Sequence, residues 1–277
     1  MPQPQPVSLV VIGGGKMARA LLAGAILAGV ITPNDVAVAD TDPKQLAVLR
    51  PLGVRLYDSA TAALQHLTPD GQLLLAVKPQ SLSDVARETR NLIGDRVLIS
   101  ILAGAPSARI REAFDNTPRV IRVMPNLAAQ VRRGLAAISL GSGARPADDA
   151  FASRLFSAVG ETVTLDESLM DAFTALAGSG PAYLFFLAEA LDNAAQQLGF
   201  SPECSSSIVR HTLSGAAELL LRAPESTPLD LRLAVTSKGG TTEAAVRVLQ
   251  DSKVLDAVIR AVLAARDRGV AIANAAS

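Results

Sequence analysis

Residues 7–31 read VSLVVIGGGKMARALLAGAILAGVI, and this stretch decides the fold. A short apolar run ends in three glycines, and an alanine- and leucine-rich run with helical character follows. Gly13, Gly15 and Ala18 fit the spacing G-x-G-x-x-G/A, which is typical of a strand–turn–helix unit that binds a dinucleotide. The N-terminus of such a helix directs N–H groups and partial positive charge at phosphates. The alternative is a glycine-rich turn that only joins a buried strand to a helix.

Composition excludes several classes of protein. The chain has 277 residues, is 49% hydrophobic and 3% aromatic, and carries a formal net charge of zero. Zero net charge argues against nucleic acid as a main partner. The single cysteine, Cys204, excludes a disulfide within the chain and a thiolate zinc site. His66 and His211 lie far apart and are expected to be surface or packing residues, so we predict no metal site.

The sequence predicts neither a signal peptide nor a membrane span. The opening residues, MPQPQP, lack a basic region and an apolar region, and they are expected to be a disordered lead. The longest uncharged stretch, 172–188, contains Gly178-Ser179-Gly180-Pro181 and falls short of the roughly 20 apolar residues that a membrane span needs. We therefore expect a cytoplasmic protein with no membrane partner.

Apolar runs alternate with helical segments up to about Leu165. The runs predicted as strands are 7–12, 36–39, 54–56, 73–77, 97–101, 119–123, 135–140 and 161–165, with a helix at 147–159. This alternation predicts an α/β fold with a Rossmann-type doubly wound sheet. Because ligands of such sheets bind at the carboxyl ends of the strands, the residues that follow each strand are candidates for cofactor contacts.

Several of these strand ends carry residues suited to a nucleotide. Asp40 is either an acceptor for ribose hydroxyls that would repel a 2′-phosphate, or an ordinary turn aspartate. Lys78 either faces the cofactor or is a solvated charge. Small residues at 103 and 104 would let the backbone pass close to a flat ring. The predicted cofactor-binding residues are Gly13, Gly15, Lys16, Met17, Asp40, Val77, Lys78, Pro79, Ala103, Gly104 and Asn126.

From Ser168 onward the apolar residues recur at helical spacing, and no strand is predicted. We therefore predict a dinucleotide-binding domain over residues 1–165 and an all-helical C-terminal domain over residues 166–277. The helices are too apolar for one small domain alone, so we expect a hydrophobic interface with a second copy of the chain.

The helical half contains a loop suited to an anion. Residues 235–243, VTSKGGTTE, place two glycines and several hydroxyls just before a helix, where backbone N–H groups form a nest for a carboxylate or phosphate. The spacing of a phosphate-binding Walker A loop is absent. The alternative is a capped turn between two helices.

Together these segments resemble the pyrroline-5-carboxylate reductases. The motifs that carry the resemblance are IGGGKMA at 12–18, AVKP at 76–79, Ala-Gly at 103–104, MPN at 124–126, GSGPAY at 178–183 and SKGGTT at 237–242. The resemblance implies a Rossmann domain followed by a helical dimerisation domain that interlocks with a second subunit, as a homodimer or a multiple of dimers. It also implies reduction of 1-pyrroline-5-carboxylate to L-proline by NAD(P)H, the last step of proline biosynthesis.

The resemblance also assigns residues to the substrate. Ser237, Gly240, Thr241 and Thr242 fall in the loop that holds the substrate in the family, and Glu167 matches a position that approaches it. Thr242 is the candidate catalytic residue, because its hydroxyl would hydrogen-bond the ring nitrogen. We expect the backbone N–H groups of residues 240–242 to bind the substrate carboxylate.

Two positions depart from the family pattern, and the choice of cofactor stays open. Lys238 stands where the family commonly has proline, so the loop is expected to be less rigid and more attractive to a carboxylate. Leu233 stands where many relatives carry a polar or acidic residue. Asp40 favours NADH, and Lys44 and Arg50 are the nearest cations, although members of the family often use both cofactors.

Other functions fit parts of the pattern. A β-hydroxyacid dehydrogenase would need a lysine on a helix of the second domain, but the chain has no lysine between Lys78 and Lys238. An imine reductase for another small carboxylate, or a non-catalytic nucleotide-sensing protein, would keep the same fold. The glycine- and threonine-rich loop argues against the non-catalytic alternative.

Overall fold

A computed structural model describes residues 6–275, and for residues 274 and 275 it describes the backbone alone. The predicted lead at the start of the chain therefore lies almost wholly outside the described residues. The chain forms two compact units, one of residues 6–179 with 266–275 and the other of residues 180–265. This division differs from the predicted boundary after residue 165, because the segment that follows Leu165 packs with the sheet.

The first unit is built on one sheet, which has eight strands in the described part of the chain. The strands are β1 (Val7–Ile12), β2 (Val36–Ala39), β3 (Arg55–Tyr57), β4 (Leu67–Leu75), β5 (Val97–Ser100), β6 (Arg119–Met124), β7 (Gly134–Leu140) and β8 (Gly160–Thr164). Their order is β3-β2-β1-β4-β5-β6-β7-β8, and every neighbouring pair is parallel except β6 with β7. This arrangement confirms the Rossmann-type doubly wound fold.

Twelve α-helices accompany the sheet within residues 6–275. They are α1 (Lys16–Leu27), α2 (Pro43–Leu49), α3 (Ala60–Leu64), α4 (Leu82–Ile93), α5 (Ser107–Ala113), α6 (Ala150–Ser157), α7 (Met170–Phe173), α8 (Gly180–Gln197), α9 (Pro202–Arg222), α10 (Pro228–Ala234), α11 (Thr241–Asp251) and α12 (Val254–Ala275). One turn of π-helix, Thr174–Gly178, follows α7.

The sheet is buried on both faces because its central strands carry apolar side chains that point to both sides. In β1, Leu9 and Val11 belong to one buried cluster with α1 and α6, while Val10 and Ile12 belong to a second cluster with α3, α4 and α5. This double burial explains why the strands read as continuous apolar runs. The prediction displaced furthest is the strand at 73–77: β4 begins at Leu67, and its pairing with β1 shifts register between Val7 and Leu9.

The second unit has a very different interior. Among its described residues, only Ala195, Ser205 and Val209 are buried. Large apolar side chains of α8 remain exposed, including Phe185 at 62% and Phe186 at 75%. No helix in the described part of the chain is both long and apolar enough to cross a membrane.

Candidate functional site

In the turn after β1, the surrounding protein requires glycine at position 13 but not at position 15. Gly13 adopts a φ of 104°, and a Cβ atom built on it would lie 2.6 Å from the carbonyl oxygen of Ala76. The protein itself therefore requires glycine at this position. A Cβ built on Gly15 would meet no described atom within 4 Å apart from its chain neighbours. Packing therefore does not explain Gly15, and close approach of a phosphate to its backbone stays a prediction.

Helix α1 begins directly after this turn and presents an uncapped N-terminus. Gly15 is its N-cap, no described side chain caps it, and its first turn contains no acidic residue. The predicted contacts Lys16 and Met17 are the first two residues of this helix. The first N–H groups of a helix have no partner within the helix, so they are available to a pyrophosphate.

Asp40 lies beside the same turn at the end of β2. Its Oδ2 accepts a hydrogen bond from the Gly14 N–H at 2.7 Å, and its Oδ1 accepts one from the Asp42 N–H at 2.8 Å. Asp40 therefore shapes the glycine turn, which the sequence did not predict. Each carboxylate oxygen has a second lone pair, so Asp40 can also accept a ribose hydroxyl.

A cavity of about 260 Å³ opens at this edge of the sheet. Gly13, Asp40 and Val77 line it, which brings together three of the predicted cofactor residues. Its described lining also contains three further acids and neither lysine nor arginine. Those acids are Asp58, Asp84 and Glu88. The position of this cavity beside the glycine turn fits the adenosine half of a dinucleotide.

Sequence reasoning missed these three acids. Asp58 follows the end of β3, so the strand-end rule that selected Asp40 would also have selected it. Glu88 comes from α4, and its carboxylate accepts hydrogen bonds from the N–H and the hydroxyl of Thr61 at 3.2 and 3.1 Å. No pattern in the sequence indicates that contact, because it joins two separate helices.

The other predicted cofactor residues do not line the cavity. Lys78 is exposed as the N-cap of the short 3₁₀ turn Pro79–Ser81, and Ala103 is exposed after β5. Gly104 has a φ of 68°, and a Cβ built on it would lie 3.3 Å from Ile272 of α12. All of them follow strands at the carboxyl edge of the sheet, where a dinucleotide extends beyond its adenosine half.

Asn126 ties the end of β6 to two neighbouring segments. Its Nδ2 donates to the carbonyl of Ala177 at 3.3 Å, and its Oδ1 accepts from the Leu135 N–H at 3.2 Å. Ala177 lies in the π-helical turn, and such turns are frequent at functional sites. The amide of Asn126 is thus committed to holding this turn, and its contact with a cofactor stays a prediction.

Glu167 belongs to a charged network inside the first unit. Its Oε1 accepts from the Ser107 N–H at 2.7 Å and pairs with Arg122 at 3.3 Å, and its Oε2 accepts from the Ser107 hydroxyl. Arg122 also pairs with Asp171 at 3.0 Å, and its side chain is only 7% exposed. The network fastens the segment after β8 to the sheet. A contact of Glu167 with substrate stays a prediction.

The predicted substrate loop lies in the second unit between α10 and α11. Ser237 and Gly240 form a four-residue turn in which the Gly240 N–H donates to the Ser237 carbonyl at 3.0 Å. That N–H already donates within the turn, and its binding of a carboxylate stays a prediction. The N–H groups of Thr241 and Thr242 belong to the first turn of α11, where no partner exists within the helix.

Exposure separates the two threonines of the loop. Thr241 is exposed, whereas Thr242 is half-buried. Helix α10, which leads into the loop, begins with a capping box in which Thr227 and Asp230 bond reciprocally. Hydrogen bonds from the hydroxyl and then the N–H of Thr227 lower the pKa of Asp230. The helix before the loop therefore has a defined start.

Within residues 6–275, no group of three or more histidines, cysteines or acids is arranged to hold a metal ion. His66 stacks on Tyr57 with ring centroids 5.3 Å apart, and Cys204 is exposed.

The doubly wound sheet and its glycine turn define a dinucleotide-binding protein of the Rossmann class. Residues 167–272 match the family model described as pyrroline-5-carboxylate reductase dimerisation, and residues 8–104 match that of NADP oxidoreductase, coenzyme F420-dependent. The chain is 37% identical to the pyrroline-5-carboxylate reductase of Methanosarcina acetivorans over 93% of this chain and 94% of that protein. It therefore belongs to the pyrroline-5-carboxylate reductase family.

Other relatives and solved structures agree with this assignment. Pyrroline-5-carboxylate reductase 2 of Bacillus subtilis is 33% identical, covering 91% of this chain and 90% of the relative. A pyrroline-5-carboxylate reductase structure from Coxiella burnetii superimposes with a TM-score of 0.87 at 30% identity, covering 97% and 99% of the two chains. The Plasmodium falciparum pyrroline carboxylate reductase, solved with NADP bound, gives 0.85 at 25% identity, covering 96% and 98%.

Proposed function

We propose that this chain prefers NADH in reducing 1-pyrroline-5-carboxylate, and that the loop containing Thr242 holds the substrate. Membership of the family makes the chain an oxidoreductase that reduces 1-pyrroline-5-carboxylate to L-proline with NAD(P)H. The chain also carries the family's dimerisation domain over residues 167–272, and we propose that two copies pair through it. One observation carries the cofactor preference, namely the acidic lining of the cavity beside Gly13.

The first unit would hold the cofactor. The N-terminus of α1 and the turn at Gly13 and Gly15 would bind the pyrophosphate, and Asp40 would accept the ribose hydroxyls. When bound, the reduced nicotinamide supplies the hydride. Asp58, Asp84 and Glu88 would oppose the added negative charge of a 2′-phosphate.

The second unit would hold the substrate. The N–H groups of Thr241 and Thr242 would bind the carboxylate at the start of α11, where the helix dipole favours negative charge. The Thr242 hydroxyl would accept a hydrogen bond from the N–H of the protonated ring. The iminium carbon is already electrophilic, so these residues contribute orientation rather than proton transfer.

Steady-state kinetics with both cofactors test the preference. We expect kcat/KM with NADH to exceed that with NADPH by about tenfold or more, because four carboxylates line the cavity in which we propose the ribose to bind. Asp40→Asn, which keeps an acceptor for the Gly14 N–H, should lower this ratio by about tenfold. Asp70→Asn removes the same charge at an exposed position in β4 and should leave the ratio unchanged. A wild-type preference for NADPH would refute the proposal.

A second measurement tests Thr242. Thr242→Ala should lower kcat about 10- to 100-fold, as expected for the loss of a hydrogen bond to a charged group, without changing the Kd for NADH. Thr242→Ser keeps the hydroxyl and is the matched control. Unchanged turnover in Thr242→Ala would remove this residue from the mechanism.

A further inference from the structure

The substrate loop contains a tight turn whose conformation is demanding. Ser237 and Gly240 are its first and fourth residues, joined by the 3.0 Å hydrogen bond from the Gly240 N–H. Gly239 is the third residue and has a φ of 74°, which is the positive value that a type II turn requires there. Lys238 is the second residue, the position at which proline would fix φ in advance. Lysine provides no such restriction.

Glu243 supplies a restraint that Lys238 does not. Its Oε2 accepts the N–H of Gly239 at 2.7 Å, reaching back from the first turn of α11. The Gly240 N–H closes the turn, and the Gly239 N–H takes no part in that hydrogen bond. Glu243 is half-buried, although Gly239 is exposed. The side chain thus links the turn to the helix whose first N–H groups face the loop.

We propose that Glu243 is a positioning residue for the substrate loop, taking the place of the restriction that proline would give at position 238. By holding Gly239, it fixes the turn relative to the first N–H groups of α11. Because Glu243 acts through Thr241 and Thr242, its role rests on the proposed function of this loop. Its negative charge also lies near the carboxylate that we assign to those N–H groups, so its geometric and electrostatic effects oppose each other.

Three variants separate these effects in steady-state kinetics with varied pyrroline-5-carboxylate. Glu243→Ala should raise KM about fivefold, the change that loss of one ordinary hydrogen bond gives, with a smaller effect on kcat. Glu243→Gln keeps an acceptor oxygen and removes the charge, so its KM should equal or fall below that of the wild type. Asp251→Ala, an exposed acid at the other end of α11, should leave both constants unchanged.

Rescue by proline distinguishes positioning from a general loss of structure. Lys238→Pro should restore KM in the Glu243→Ala background to within about twofold of the wild type, and it should have little effect alone. The N–H of Lys238 donates none of the described hydrogen bonds, so proline removes none of them. Glu243→Ala should keep the wild-type Tm and Kd for NADH.

The outcomes separate the two proposals. If Thr242→Ala lowers turnover while Glu243→Ala leaves KM within twofold of the wild type, the inference about Glu243 fails alone. A raised KM that Lys238→Pro does not restore also overturns it. If neither Thr242→Ala nor Glu243→Ala changes the kinetics, the loop is not the substrate site and the proposed function fails.

Discussion

The two units of this chain differ in where their interiors come from. The sheet unit buries both faces of its central strands under its own helices, in two clusters that include Leu9 and Val10. In the helical unit, Ala195 and Val209 are the only buried apolar residues among those described, while Phe186 is 75% exposed. A stable unit needs a buried apolar interior. The first unit has its own, whereas the second leaves its large apolar side chains exposed in one described chain, as the match to a dimerisation domain leads us to expect.

Because of this difference, the two candidate sites are held in place by different kinds of contact. The glycine turn and Asp40 are held by contacts within one chain, as the Gly14–Asp40 hydrogen bond illustrates. The loop at 237–242 joins two helices on which large apolar side chains, among them Leu233 and Val248, are more than half exposed in one described chain. We therefore expect nucleotide binding to survive dissociation of the subunits, and reductase activity to be lost.

The largest expected effect comes from disrupting the apolar face of the helical unit. Phe186→Glu should reduce the mass in light scattering to that of one chain and abolish reductase activity, because a buried charge is costly in an apolar interface. Leu27→Glu replaces a side chain that is 71% exposed at the end of α1 and should leave the mass unchanged. If Phe186→Glu keeps the mass of a dimer, the proposed contrast between the units is wrong.

A smaller effect is expected inside the sheet unit. Arg122→Met leaves Glu167 and Asp171 without their cation and should lower the free energy of unfolding by about 3 kcal/mol. Arg87→Met is the control, because Arg87 and Asp84 are 75% and 72% exposed and their pair should contribute under about 0.5 kcal/mol. Chemical denaturation measures both values. If the two variants lose the same free energy of unfolding, the network around Arg122 does not hold the segment after β8 against the sheet.

The smallest effect should come from Gly15→Ala. Since the new Cβ meets no described atom within 4 Å, the Tm should stay within about 1 °C of the wild type. The Kd for NADH should rise about tenfold, because the methyl group would contact the pyrophosphate. Gly13→Ala is the contrasting variant, which should lower the Tm as well, since its Cβ would overlap the Ala76 carbonyl. Unchanged NADH affinity in Gly15→Ala would place the phosphates elsewhere.

The sequence predicted what depends on local periodicity and strand ends. The strand at 36–39 and the turn at Gly13 were located because parallel strands are continuously apolar and end in ligand-binding residues. The early start of β4 was missed. The residues at its register shift are polar and include proline and glycine, a composition that is typical of loops.

Long-range partners were beyond prediction from one sequence. Arg122 stands among apolar residues in the middle of β6, and its partners lie 45 and 49 positions away. The bond between Ser107 and Glu167 spans 60 positions. Such contacts depend on how separate elements pack, and neither the charge pattern nor the spacing of residues predicts them. This packing also explains why the segment 166–179 joined the sheet unit.

The return of α12 to the sheet unit has a consequence for synthesis of the protein. Residues 266–275 belong to the first unit, and Ile272 approaches Gly104. These residues follow the helical unit in the chain, so the nucleotide-binding unit cannot be completed until the ribosome has synthesised residues 180–265. Substitutions within residues 266–275 should therefore disturb the part of the polypeptide that is synthesised first.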